Sequence, residues 1–334
     1  MPAAARTVAQ TLAALIGCER ATLAPSTLHL FWDWFGMLAG DAAAIYLDAG
    51  VYPIARWGVE RAAARGVPVR NFPHHDAEAL RRQLQLGAPH RLRPLIVADG
   101  FCPGCGRSAP LPAYLKCARD FGGQLILDDT QALGILGQSP SPEKPYGQGG
   151  GGSLRWHNLS GPNILVISSL AKGFGVPMAV LAGSHAMIRQ FEARSETRMH
   201  CSPPAMAMLR VAEHALAEND DSGERLRGRL TQLVRYFRDR LANAGFSATG
   251  GLFPVQALAP APNLAAAALY ERLWQRGVRT VLHRRRCGHG ARVSFLLSSR
   301  HNREDLDRAV DALVAAAGEK SRGNQTRNKY AAYI

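Results

Sequence analysis

Residues 167–184 read ISSLAKGFGVPMAVLAGS. Two apolar runs flank a glycine-rich turn, and one lysine, Lys172, stands in it among small neighbours. A surface lysine needs no such setting. A lysine that must form a Schiff base beside a flat cofactor does, because the ring has to lie against the nearby backbone. The two runs read as buried strands, and the same signature recurs upstream in AAAIYLDAG (42–50), LRPLIVADG (92–100) and GQLILDDT (123–130). The runs NILVISSL (163–170) and MAVLAGS (178–184) complete the set. Helical patterns lie between several of them, as in DAEALRRQLQ (76–85) and LPAYLKCARDFG (111–122). Continuous apolar strands alternating with helices predict an α/β fold, a mostly parallel sheet covered on both faces. Ligands of such sheets sit beyond the carboxyl ends of the strands. Asp48, Asp99, Asp128 and the segment Ser168–Lys172 all fall there.

The chain of 334 residues, 47% hydrophobic, is long enough for a substantial core and about two domains. The predicted division is a large domain over 1–220, a small C-terminal α+β domain over 221–317 and a disordered tail over 318–334. PSPEKPYGQGGGGSLRWHNLSGPN (140–163) lies between two strong strands and reads as an inserted loop of the large domain. A helical stretch runs from about 205 to Gly245. A strand near 252–258, a helix at 263–276, strands near 278–283 and 291–299, and a helix at 302–317 follow. The opening MPAAARTVAQTLAALIG has polar residues at helical spacing and reads as an amphipathic helix and not a signal peptide.

The net charge of +14 suits phosphorylated or acidic small molecules. No basic block interleaved with aromatics supports nucleic-acid binding, and no run of about 18 apolar residues predicts a membrane span. The six cysteines, at 18, 102, 105, 117, 201 and 287, are too scattered for a disulfide scaffold, which points to a reducing, cytoplasmic compartment. Cys102-Pro-Gly-Cys105 is a lone CxxC. It cannot close a four-ligand zinc site and reads as a tight turn, so no metal is expected. His74 and His75 read as local turn residues.

Pyridoxal 5′-phosphate asks a protein for a lysine, an anion at the pyridine nitrogen, a flat group over the ring and donors for the phosphate. Lys172 is the lysine. Asp128 or Asp129, at an apolar strand end, is the anion. The segment Pro25-Ser26-Thr27 before an apolar helix, together with Ser169, offers phosphate donors.

LILDDTQALGILG followed by SSLAKGFG resembles the α-oxoamine synthase branch of fold-type I pyridoxal-phosphate enzymes. That branch pairs Asp-x-Ala-His-x-x-Gly-x-x-Gly with Thr-x-x-Lys-x-Phe-Gly. VADGFCPGCGRSAPLPAYL (97–115), FPHHDAEAL (72–80), SPPAMAML (202–209) and RVSFLLSSRHNREDLDRAVDAL (292–313) are similar to further family segments in the same order. The resemblance covers roughly residues 5 to 317. It implies a fold-type I transferase whose Lys172 carries the cofactor, with Asp128 at the pyridinium and Ser169 at the phosphate. Ser26, Thr27 and Leu28 match the phosphate-binding turn. Asp48 matches the aspartate before the ring-stacking residue, and counting from it puts Tyr52 in the place of the family's stacking histidine. Gln131 replaces the histidine at the cofactor's phenolic oxygen, and an amide donates there without titrating. Ser202, with His200 beside it, falls where the family sends a phosphate contact across its dimer.

Other departures bear on the substrate. The closing strand of the family carries Arg-x-Arg, whose second arginine grips the amino acid's carboxylate. Arg292 and Ser294 stand at these places, which leaves Arg292, with Arg284, as the expected substrate contacts. The family segment that precedes this region and builds part of the substrate pocket has no counterpart, which implies a more open pocket or one completed by another chain. The expected activity is decarboxylative condensation of an amino acid with an acyl thioester, carried on CoA or an acyl-carrier protein, by a homodimer. An aminotransferase, another amino-acid-converting enzyme or a degenerate non-catalytic homologue are the alternatives.

Overall fold

The computed structural model describes residues 3–38, 40–88, 91–260, 265–284 and 290–318. The first half runs α1 (Ala3–Ile16), β1 (Arg20–Ala24), α2 (Thr27–Gly36), β2 (Ala43–Asp48), α3 (Pro53–Ala64), β3 (Val69–Phe72), α4 (Ala77–Gly87) and β4 (Arg93–Asp99). A small hairpin, β5 (Phe101–Cys102) and β6 (Arg107–Ser108), leads to α5 (Leu111–Asp120) and β7 (Gln124–Asp128). Then come α6 (Ser153–Trp156), β8 (Ile164–Ser169), β9 (Ala179–Gly183), α7 (His185–Arg194), α8 (Glu196–His200) and the long α9 (Met206–Asn243). The chain closes with β10 (Ala248–Thr249), β11 (Val255–Leu258), α10 (Ala266–Gln275), β12 (Val281–Arg284), β13 (Ala291–Leu296) and α11 (Arg303–Gly318).

Seven strands form the large sheet, in the order β1-β9-β8-β7-β4-β2-β3. The run from β3 to β8 is parallel and only β9 opposes its neighbours. Side chains alternate across it. Ala43, Ile45 and Leu47 of β2 pack with α2, α3 and α7, while Ala44 and Tyr46 pack with α1, α4, α5 and the start of α9. Both faces are thus buried, which is why the strands read as continuous apolar runs. The second sheet, β10-β11-β13-β12, is antiparallel and packs against α10, α11 and the C-terminal part of α9.

The sheet is the one expected, and the five foreseen strands fall within a residue or two of their predicted bounds. The position 220 expected to end the large domain lies inside α9, which is continuous from Met206 to Asn243. The inserted loop carries the short α6 and β-bridges at Leu133–Gly151 and Gln138–Gln148. Of the tail expected to be disordered, Gly318 ends α11, and residues 319–334 lie outside the described residues.

Candidate active site

The parallel register brings the strand ends together. Asp99 of β4 stands opposite Asp128 of β7, and Asp128 opposite Ile167 of β8, so Ser169 and the lysine turn follow directly. Beyond them lies a cavity of about 220 Å³ lined by Thr27, Tyr52, Asp99, Asp128, Gln131 and Lys172, with Thr130 and Ser169 on its wall. Thr27, Tyr52, Asp128, Gln131, Ser169 and Lys172, six residues that the sequence assigned to a cofactor, therefore share one cavity. Lys172 Nζ is 5.6 Å from the centre of the Tyr52 ring.

Each side chain is set by its element. Tyr52 caps α3, and Pro53 follows it at the first helical position, where a missing N–H costs nothing. The Tyr52 amide donates to Asp99 Oδ1 at 3.1 Å, which fixes the ring's base to the end of β4. Asp128 is buried and its Oδ1 accepts from the Thr130 amide at 3.0 Å. Thr130 Oγ1 accepts from the Ser169 amide at 3.0 Å, and Ser169 Oγ from the Ala171 amide at 3.2 Å. That ladder ties the end of β7 to the turn carrying Lys172. Thr27 opens α2, whose amide-bearing N-terminus favours an anion. Ser26 is the N-cap, but its hydroxyl bonds His29 Nδ1 at 2.8 Å and makes no capping bond.

The two adjacent aspartates have different surroundings. Asp129 is 1% exposed and turned away from the cavity, with Oδ2 accepting from the Ser153 amide at 2.8 Å. Burial, with Asp128 next door, pushes its carboxyl up to about 7. Gly152 makes room for it: a Cβ there would lie 2.1 Å from Asp129 Oδ2, on a backbone with φ +90°. Of the pair, Asp128 is the carboxylate that faces the cavity. Asp48 is a buried anchor. Burial raises its pKa, but His74 and the amides of His75 and Gly50 hold it below the ordinary range.

Several assignments move. Arg292 was expected to reach the substrate. It is 8% exposed within the second sheet, donates to Thr249 Oγ1 at 3.2 Å and lines neither lysine-bearing cavity. Strand alternation does place Arg292 and Ser294 on one face, opposite Val293 and Phe295, which pack with the helices. The side chain of Arg284, and Arg285 and Arg286 entirely, lie outside the described residues. Ser202 lines a separate groove of about 240 Å³ with Pro25 and Arg198. Leu28 is 39% exposed and does not line the cavity.

The sequence assigned no role to Asp99 or Thr130, although Asp99 was noted at a strand end. Nor did it mark a second cleft, of about 640 Å³, that meets the first at Lys172. It is bordered by Gly134, Phe174, His214, Arg227 and Arg300. The sequence also missed a cluster beside the cavity, where Cys105 Sγ lies 3.5 Å from His74 Nε2 and 4.0 Å from His75 Nδ1.

The family model for class I and II aminotransferases matches residues 12–313. An 8-amino-7-oxononanoate synthase of Dechloromonas aromatica is 30% identical over 286 residues, which are 84% of this chain and 70% of that protein. One of Geobacter sulfurreducens is 31% identical over 257 residues, 74% of this chain and 61% of that protein. The relatives from Methylococcus capsulatus and Bacillus velezensis are likewise longer, and the chain spans 64% and 61% of their lengths. Among solved structures, a serine palmitoyltransferase from S. paucimobilis superposes with a TM-score of 0.80 at 18% identity, over 95% of this chain and 77% of that one. The 8-amino-7-oxononanoate synthase from Francisella tularensis gives 0.73 at 17% identity, over 95% and 88%. At these identities the superpositions speak for the fold alone.

Proposed function

The chain belongs to the class I and II aminotransferase family, in its α-oxoamine synthase branch, and from that premise we propose that it is a pyridoxal-phosphate-dependent acyltransferase. It condenses an amino acid with an acyl thioester and releases carbon dioxide. One observation carries this reading: Lys172, Asp128, Tyr52 and Thr27, from four separate segments, line one cavity.

The donor set fits the cofactor. Lys172 Nζ is the amine that holds it, beside the flat face of Tyr52. The buried Asp128 carboxylate would hold a proton on the ring nitrogen. The opening amides of α2 and the Ser169 hydroxyl bind the phosphate, and Gln131 donates an amide hydrogen to the ring oxygen. When bound, pyridoxal phosphate supplies an electron sink for the carbanion at the amino acid's α-carbon. Lys172 Nζ would then be placed to move the proton at that carbon, and Asp128 would keep the ring nitrogen protonated. The larger cleft reaches the same lysine from the other side and takes the acyl thioester. In it, Arg300 is exposed and suits the carboxylate of the substrate.

The working unit in this reading is a cytoplasmic homodimer of a large and a small domain that part within α9. Exposed Trp32 of α2 and Trp57 of α3 supply an apolar face close to the site. Ser202, outside its own chain's cavity, is then available to the neighbouring subunit's phosphate. Among the described residues, Cys18, Cys102, Cys105, Cys117 and Cys201 form no disulfide, which suits a reducing compartment. Among the described residues no helix is long and apolar enough to cross a membrane.

The test incubates the cofactor-loaded chain with a panel of amino acids, with and without acyl-CoA. Release of free CoA and carbon dioxide that requires both substrates supports the reading. Transfer of the amino group to a keto acid without any thioester would replace it with an aminotransferase.

A further inference from the structure

Three loops at the carboxyl edge of the large sheet meet beside the cofactor cavity. His74 and His75 follow β3, Cys105 lies in the turn of the β5–β6 hairpin, and Asp48 ends β2. Adjacent residues of an extended chain point to opposite sides. His74 and His75 do not, because His75 has a φ of +62°, a left-handed conformation that is costly for a side-chain-bearing residue. The turn sets the two rings side by side, with centres 3.7 Å apart. Both then face one sulfur, and the three donor atoms lie within 4.8 Å of one another.

We propose that Cys105, His74 and His75 form a site for a borderline-soft divalent cation, zinc above all, which clamps the β5–β6 hairpin to the loop after β3. The donor types and spacings fit. A tetrahedral zinc with a thiolate at about 2.3 Å and an imidazole at about 2.05 Å sets sulfur and nitrogen about 3.6 Å apart. The observed separations of 3.5 and 4.0 Å bracket that value. A second-layer carboxylate is already in place. Asp48 Oδ1 accepts from His74 Nδ1 at 2.6 Å, which fixes the tautomer and aims Nε2 at the sulfur. Gly50 permits this seat, since a Cβ there would lie 2.2 Å from His74 Nδ1.

Cys105, His74 and Asp48 alone would also describe a nucleophile, base and orienter. His75 has no part in such a relay, yet the backbone is strained to bring its Nδ1 to the sulfur. The second ring is what assigns the cluster to a cation. On binding, Cys105 loses its proton to solvent and ligates as thiolate. The hairpin also carries Pro103, which lines the cofactor cavity, so the ion would hold one wall of that cavity.

The test is metal binding by the full chain, read without activity. After equilibration with zinc and gel filtration, mass spectrometry should find about one zinc per chain, and cobalt in its place should give a thiolate-to-cobalt absorption band. Cys105→Ser should abolish the band. His75→Gly, which keeps the backbone conformation and removes the ring, should weaken zinc at least about tenfold. Cys102→Ser should leave both readouts unchanged. In the unmutated chain, zinc should protect Cys105 from iodoacetamide and a chelator should restore its reactivity. A chain that retains no zinc, gives no cobalt band and alkylates at Cys105 equally fast with and without zinc would overturn the proposal.

Discussion

At the scale of single residues, environment assigns the roles. Asp128 and Asp129 are neighbours in sequence, yet one faces the cavity and the other is sealed behind it. Asp129 carries a measurable consequence. Its folded pKa, about 7, lies above the usual value of 3.8, so the folded chain holds a proton that the unfolded chain has released. Stability from this group is full below about pH 4 and declines as pH rises to about 7, after which it is level. Asp129→Asn removes the titration. Urea midpoints of the two proteins should therefore diverge in favour of the variant between pH 5 and pH 8. A gap that is flat with pH would mean that Asp129 is charged in the fold. The arginines divide in the same way. Arg292→Ala removes a buried, bonded cation and should lower stability while leaving the amino acid's KM unchanged. Arg300→Ala should raise that KM about tenfold or more, as expected for a charged hydrogen bond worth roughly 1.5–3 kcal/mol. Steady-state kinetics on both variants, with melting curves, separates the two roles.

At the scale of elements, the sequence is most legible where burial is continuous. The apolar runs around Ile45, Ile96, Ile126, Val166 and Val180 mark β2, β4, β7, β8 and β9 because both faces of those strands are covered. The two edge strands were missed. β3 reads VRNF and is only partly buried, and β1 is five residues that pair solely with β9. The positions of Asp128 at the end of β7 and of Lys172 in the turn after β8 were legible because both strands are continuous apolar runs. Alternation put Arg292 and Ser294 on one face, as the structure does, but it does not show that Arg292 is buried against Thr249 and outside both lysine-bearing hollows. The His74–His75–Cys105 cluster was invisible because its members lie on different loops, and their meeting depends on the order β4-β2-β3 in the sheet. α1, read correctly as an amphipathic helix, packs its apolar stripe on β1, β9 and α9. Leu12 at its centre is fully buried, so Leu12→Ala should cost about 2–5 kcal/mol in urea unfolding. A loss below about 0.5 kcal/mol, the size of an ordinary surface change, would mean that α1 is not part of the core.

At the scale of the whole molecule, a doubly covered sheet delivers carboxylates and hydroxyls from several strand ends to one edge. The inserted loop supports that edge from behind, where Gly152 and Ser153 enclose Asp129. Lys172 stands where two hollows of this edge meet, the cavity below Tyr52 and the wide cleft toward the second sheet. The account therefore converges on one atom, Lys172 Nζ. The most direct measurement is borohydride reduction of the chain loaded with pyridoxal phosphate, followed by peptide mapping. The account predicts a stable adduct on Lys172, absent from Lys172→Ala, in a chain that absorbed visible light before reduction. An adduct on any other lysine, or no adduct on a folded and loaded chain, would contradict it.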